Sequence, residues 1–173
     1  LTADGVKPSI TSVSTGKAGN VDYCLVKVLV PKAINIWVGL PMGDAWNGRW
    51  QSVGGGVYAG AASAPTEALR EGYAAATTDT GHSSNALSGS FGMLEPGKPN
   101  VELQKDFATR SLHMMAVVGK QLVKQFYGEE PKYSYWNGCS TGGRQGLKAA
   151  QMFPDDYDGI IAGAPANRTA ISL

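Results

Sequence analysis

The sequence predicts an α/β fold: a mostly parallel sheet with helices on both faces. Three observations carry that expectation. Short β-rich runs alternate with helical patterns, as when parallel strands are joined by crossover helices. An aromatic run, Tyr133, Tyr135 and Trp136, leads into Gly138-x-Ser140-x-Gly142 and then a helical pattern, so strand, sharp turn and helix follow directly. Glycine supplies 23 of the 173 residues, which suits many tight turns and close backbone approaches. A chain of this length has room for one domain with a real core.

Residues 1–20 are polar, with scattered Gly, Ser, Thr and Lys, and read as a weakly ordered lead-in to the domain of residues 21–173. Residues 23–30 are β-rich and stop at Pro31. Residues 34–41 alternate apolar and polar up to Pro41, and the two runs predict an antiparallel pair opening the sheet. After a turn at 44–49, residues 50–53 form a short strand that runs into Gly54-Gly55-Gly56. Residues 65–70 suit a short helix and 72–79 a strand, closed by Thr80-Gly81-His82. The Ser-, Gly- and Pro-rich stretch 83–100 reads as a loop. Residues 101–127 carry the longest helical pattern, with Met115, Val118, Leu122 and Phe126 on one face and Lys120 and Lys124 elsewhere. Gly128 and Pro131 stop it. A helix over 145–153, ended at Pro154, and a buried strand over 157–164 complete the pattern. There is no internal repeat.

The composition narrows the function. Charged residues are 17%, below the average of about 25% for globular proteins. A net charge of +1 does not invite nucleic acid or an anionic membrane surface. No apolar run approaches the roughly 18 residues of a spanning helix. No leader peptide is visible, although Leu1 is not Met and the start can be processed or trimmed. Two cysteines, Cys24 and Cys139, show no CxxC or Cys/His spacing that would suggest a metal.

The chemistry centres on Ser140. Gly-x-Ser-x-Gly between a strand and a helix is the nucleophile elbow of an α/β-hydrolase-type sheet, which thrusts the serine hydroxyl above the strand ends. The backbone N–H of Thr141 then faces a developing oxyanion, and Gly55 or Gly56 offers the second N–H that such a site takes from an earlier strand–helix loop. A base is harder to find. The fold places Asp or Glu and then His after the serine, whereas His82 and His113 both precede it. His113 reads as a mid-helix structural histidine, and His82 as a residue lining the pocket, with the general base as its other candidate role. Asp155, Asp156 and Asp158 read as a solvated turn.

The run Gly138-Cys139-Ser140-Thr141-Gly142-Gly143-Arg144-Gln145-Gly146 resembles the tannase and feruloyl esterase family. So do Asp158-Gly159-Ile160-Ile161-Ala162-Gly163-Ala164-Pro165-Ala166, Thr78-Asp79-Thr80-Gly81-His82 and Trp46-Asn47-Gly48-Arg49; the likeness runs from about Val13 to the end. The resemblance implies a serine esterase that cleaves feruloyl-, galloyl- or related aromatic esters through an acyl-enzyme. It implies that Cys139 pairs with a cysteine beside the catalytic histidine. It further implies that Cys24 pairs with an upstream cysteine, and that the catalytic Asp and His lie beyond an inserted lid downstream. The expectation is then an incomplete sheet, with its open face and edge exposed, whose partner is the remainder of the same enzyme. Paired cysteines imply a secreted or periplasmic protein. The chain itself calls for no cofactor; calcium is a candidate only for the lid. Two rivals stay open: a non-catalytic hydrolase-like binding domain, and a serine esterase of another type.

Overall fold

The computed structural model describes residues 1–58, 60–83 and 87–167. Residues 84–86 of the expected loop and 168–173 at the end lie outside the described residues. Seven strands form one sheet: β1 (Ser9–Ala18), β2 (Val21–Val30), β3 (Ile34–Pro41), β4 (Arg49–Val53), β5 (Ala74–Thr78), β8 (Tyr133–Cys139) and β9 (Gly159–Gly163). Their spatial order is β1-β2-β3-β5-β4-β8-β9. β2, β3 and β5 pair antiparallel in succession, while β5, β4, β8 and β9 pair parallel. Hence β2 runs with the parallel block, and only β1 and β3 oppose it. A two-stranded ribbon of β6 (Met93–Glu95) and β7 (Lys98–Pro99) occupies the expected loop.

Residues 9–18 are a correction. They form the long strand β1, paired with β2 from Ser9↔Leu29 to Ala18↔Val21 through a tight turn at Gly19, whose φ is +58°. Their side chains are almost all exposed, so the apolar alternation that betrays a half-buried strand is missing and the backbone ladder alone marks it.

Side-chain alternation sorts the helices to the two faces. Trp50 and Ser52 of β4 share a face with Ser134 and Trp136 of β8, as the pairings Trp50↔Ser134 and Ser52↔Trp136 show. That face carries α3 (Ser111–Tyr127), which α2 (Val101–Lys105) and a π turn over Asp106–Arg110 lead into, and α4 (Thr141–Met152). Trp50, Trp136, Leu112, Met115, Val118, Val123 and, from β2, Val26, Val28 and Val30 are buried there as the main core. Phe126, expected in the same apolar stripe, is 46% exposed. It lies in the last turn of α3, just before Gly128 ends the helix at φ +80°. Among the described residues the opposite face carries only α1 (Thr66–Arg70), whose buried Leu69 packs against Gly39. Across β4 and β8 that second face has no helix among the described residues, leaving Gln51, Tyr135 and Asn137 partly or fully exposed.

Two expected boundaries shift. α4 begins at Thr141, four residues ahead of the predicted start, because the turn at Ser140 feeds the helix with no intervening loop. β9, expected to be buried, is a half-exposed strand on the sheet margin with Ile161 65% exposed.

Candidate active site

Ser140 joins β8 to α4 with φ 58° and ψ −118°, a conformation that L residues rarely adopt. It is exposed, and its side chain makes no capping bond to the helix it precedes. The geometry needs glycines around it. A Cβ on Gly138 would stand 2.5 Å from the Gly142 carbonyl oxygen, and one on Gly54 2.6 Å from the Gly142 Cα. Strand end, helix start and the loop after β4 therefore touch backbone to backbone.

The serine's own backbone is clamped. Its N–H donates to Gly163 O at 3.0 Å, and its carbonyl accepts from Arg144 N–H and Ala166 N–H, each at 3.0 Å. Trp136 Nε1 donates to the Gly142 carbonyl at 3.0 Å from beneath. Thr141 is the first residue of α4, so its N–H has no intrahelical acceptor and points out at the positive end of the helix.

The loop after β4 separates the two glycine candidates. Gly55 N–H is already committed: it donates to Gln145 Oε1 at 3.1 Å. Gly56 N–H meets no acceptor among the described residues, and the space where its Cβ would sit is open. Thr141 Oγ1 donates to Val57 O at 2.6 Å, tying the same loop to α4. Sequence reasoning missed Gln145 and the Thr141 hydroxyl. The available signal was a polar residue one helical turn inside α4 on the side facing the glycine run.

His82 stacks on Phe91 with ring centroids 3.8 Å apart and lies 5.9 Å from Phe107. Tyr58 also packs on Phe91 and Phe107. Arg144, from the first turn of α4, lies 4.8 Å over the Phe107 ring, so this aromatic group abuts the elbow helix. Burial pulls the His82 pKa down, against the charge of Asp79 and a backbone hydrogen bond with Tyr58. Asp79 is itself occupied, accepting from Asn35 N–H, Asn35 Nδ2 and Gly81 N–H.

His113 holds a structural post: Nδ1 lies 2.7 Å from Asp156 and Nε2 3.4 Å from Asp4. Of the three aspartates expected in a solvated turn, Asp155 is exposed as expected, while Asp156 and Asp158 are engaged. Asp156 is buried against His113, and Asp158 accepts Ser134 N–H at 2.7 Å.

Cys24 and Cys139 are both free thiols. Cys24 packs against the main core, whereas Cys139 is exposed beside Ser140. From β2 to β8 is four strand spacings, on the order of 19 Å at roughly 4.8 Å each, beyond the Cα separation a disulfide spans. A cavity of about 390 Å³ opens against Cys139, lined also by Val53, Gly54, Thr77 and Asn137. It reaches Gly138 but not Ser140 or Thr141. Among the described residues no three His, Cys, Asp or Glu side chains converge as a metal site requires.

The family model "Tannase and feruloyl esterase" matches residues 20–171. A protein of Arthroderma benhamiae named "Probable feruloyl esterase" is 42% identical over 156 residues, covering 84% of this chain and 29% of that protein. The crystal structure of feruloyl esterase B from Aspergillus oryzae superposes with a TM-score of 0.81 at 33% identity, over 96% of this chain and 35% of that one. Tannin acyl hydrolase from Aspergillus niger gives 0.74 at 28% identity, over 93% and 32%. The chain thus spans about a third of the length of these relatives.

Proposed function

Because this chain belongs to the tannase and feruloyl esterase family, we propose that it supplies the nucleophile and oxyanion-binding backbone of a serine carboxylic-ester hydrolase. One observation carries the reading: an exposed serine, uncapped, held at φ 58° between a parallel strand and the helix it opens. Ser140 Oγ attacks the ester carbonyl carbon while a histidine beyond this chain takes its proton, and an aspartate orients that histidine. The carbonyl oxygen becomes an oxyanion held by the N–H groups of Thr141 and Gly56. The carbon–oxygen bond to the alcohol breaks, and the alcohol leaves with the proton from the histidine. Water then adds to the acyl-serine, passing its proton to the same histidine; the bond to Ser140 Oγ breaks, the histidine returns that proton to Oγ, and the acid departs.

The acyl group is proposed to be aromatic, as in feruloyl or galloyl esters. The names of the relatives support this, as does the cluster of Tyr58, His82, Phe91 and Phe107 beside α4. His82 serves as a wall of the pocket, stacked on Phe91 with its pKa drawn down by burial. Cys139, next to the nucleophile, exposed and beside open volume, is proposed to form a disulfide with a cysteine outside this chain. That pairing belongs to a secreted or periplasmic protein.

The test is chemical. The complete protein is treated with a serine-directed fluorophosphonate and the adduct mapped by mass spectrometry. The expected label is on Ser140. A label on another residue, or none, removes the esterase reading and favours a binding role.

A further inference from the structure

We infer that Gln145, together with the Thr141 hydroxyl, is a positioning residue that sets the loop after β4 so that Gly56, rather than Gly55, presents its N–H to the oxyanion. The inference rests on the esterase reading above and deepens it. The loop is pinned at three points. Gly54 N–H donates to Asn137 O at 2.9 Å, continuing the ladder from β4 to β8. Gly55 N–H donates to Gln145 Oε1 at 3.1 Å, and Val57 O accepts from Thr141 Oγ1 at 2.6 Å. Residues on both sides of Gly56 are held, and its own N–H, unlike those of Gly54 and Gly55, makes no hydrogen bond to a described residue.

Gln145 is a costly choice for packing alone. It is 1% exposed, and its Nε2 has no partner among the described residues. A buried amide left half unsatisfied loses stability, so an apolar side chain of the same size would serve a purely structural role better. The orientation is set by chemistry: turning the amide over would aim an NH2 group at the Gly55 N–H, donor against donor. The hydrogen bond that remains is to the loop. Both pins come from α4, the helix that Ser140 opens, so nucleophile and oxyanion donors share one rigid element.

Transition-state donors act only when placed within a fraction of an ångström, and a misplacement of about 1 Å can cost roughly 100-fold in rate. Three variants of the complete protein test the inference: Gln145→Met, which keeps length but loses both hydrogen-bonding groups; Thr141→Val, which loses the hydroxyl alone; and Thr141→Ser, which restores it. Each is checked for a cooperative melt, and kcat and KM are measured on an aromatic methyl ester. The expected result is a fall in kcat on the order of 10- to 100-fold for Gln145→Met and Thr141→Val, with KM within about threefold. Thr141→Ser recovers most of the Thr141→Val loss. Fluorophosphonate still labels Ser140 in all of them, more slowly in the first two. Folded variants with unchanged kcat, or with a raised KM and unchanged kcat, overturn the inference. Should Gln145→Met not fold, the Thr141 pair decides alone. If the parent protein is not labelled at Ser140, it is the esterase reading that has failed.

Discussion

Ser140 is strained for its task. A non-glycine residue in such a region costs about 1–3 kcal/mol, which the surrounding clamp must over-determine. Here the clamp is Gly163, Ala166 and Arg144 on its backbone. Ser140→Gly is therefore expected to raise the melting temperature by roughly 2–4 °C per kcal/mol relieved; a lower melting temperature would show that the conformation is unstrained. Ser140→Ala is expected to lower kcat by on the order of 10⁴-fold or more, with KM nearly unchanged, as read from steady-state kinetics. His113 gives a second prediction at this scale. Its pKa is raised, first by the hydrogen bond to Asp156 and then by the charges of Asp156 and Asp4, with burial opposing. A raised folded-state pKa adds stability that is fully present below the unfolded value of about 6.5 and is lost as pH rises through the folded value. The melting temperature of His113→Gln should thus vary less with pH across that window, and an NMR titration should place His113 above 6.5. A titration at or below 6.5 would contradict the ion pair.

At the level of elements, β8, its turn and α4 form one unit whose closeness depends on absent side chains. A Cβ on Gly138 meets the Gly142 carbonyl at 2.5 Å, so Gly138→Ala must push strand and helix apart. The expected loss is about 1–3 kcal/mol, read in a urea titration, together with lower turnover because the shift moves Ser140 itself. Stability lost without turnover would mean the elbow relaxes elsewhere. The elements also show what periodicity can and cannot reveal. β3 was legible because its first half alternates between buried Ile34, Ile36 and Val38 and less buried Asn35 and Trp37, and because it stops at a proline. β1 was not, since both its faces meet water and its serines and threonines carry no burial signal. α4 was placed too late because Gly142 and Gly143, poor helix formers, open it; the forced turn at Ser140 outweighs their low propensity.

Over the whole molecule, the two faces of the sheet differ. One carries α3, α4 and the main core; among the described residues the other carries α1 alone and has no helix over β4 and β8. β9 adds a sheet margin with Ile161 65% exposed and Ile160 only partly covered. Apolar side chains on a strand with one unpaired edge favour association. Residues 1–173 expressed alone are expected to self-associate with rising concentration, and Ile161→Lys to reduce this, as followed by sedimentation velocity. A concentration-independent monomer for both chains would show that this margin is inert.

By itself the sequence determined the order of strands and helices over most of the chain and the bend that exposes Ser140. These are local matters, settled by alternation, prolines and glycine spacing within about ten residues. Tertiary structure alone decided which glycine after β4 keeps a free N–H, that Gln145 and Thr141 hold that loop, that Gly163 and Ala166 clamp the serine, and that Cys24 and Cys139 stand too far apart to bond. Each of those rests on backbone groups brought together from distant parts of the chain by the β5-β4-β8-β9 strand order, and hydrogen bonds between such groups leave no period in the sequence to read.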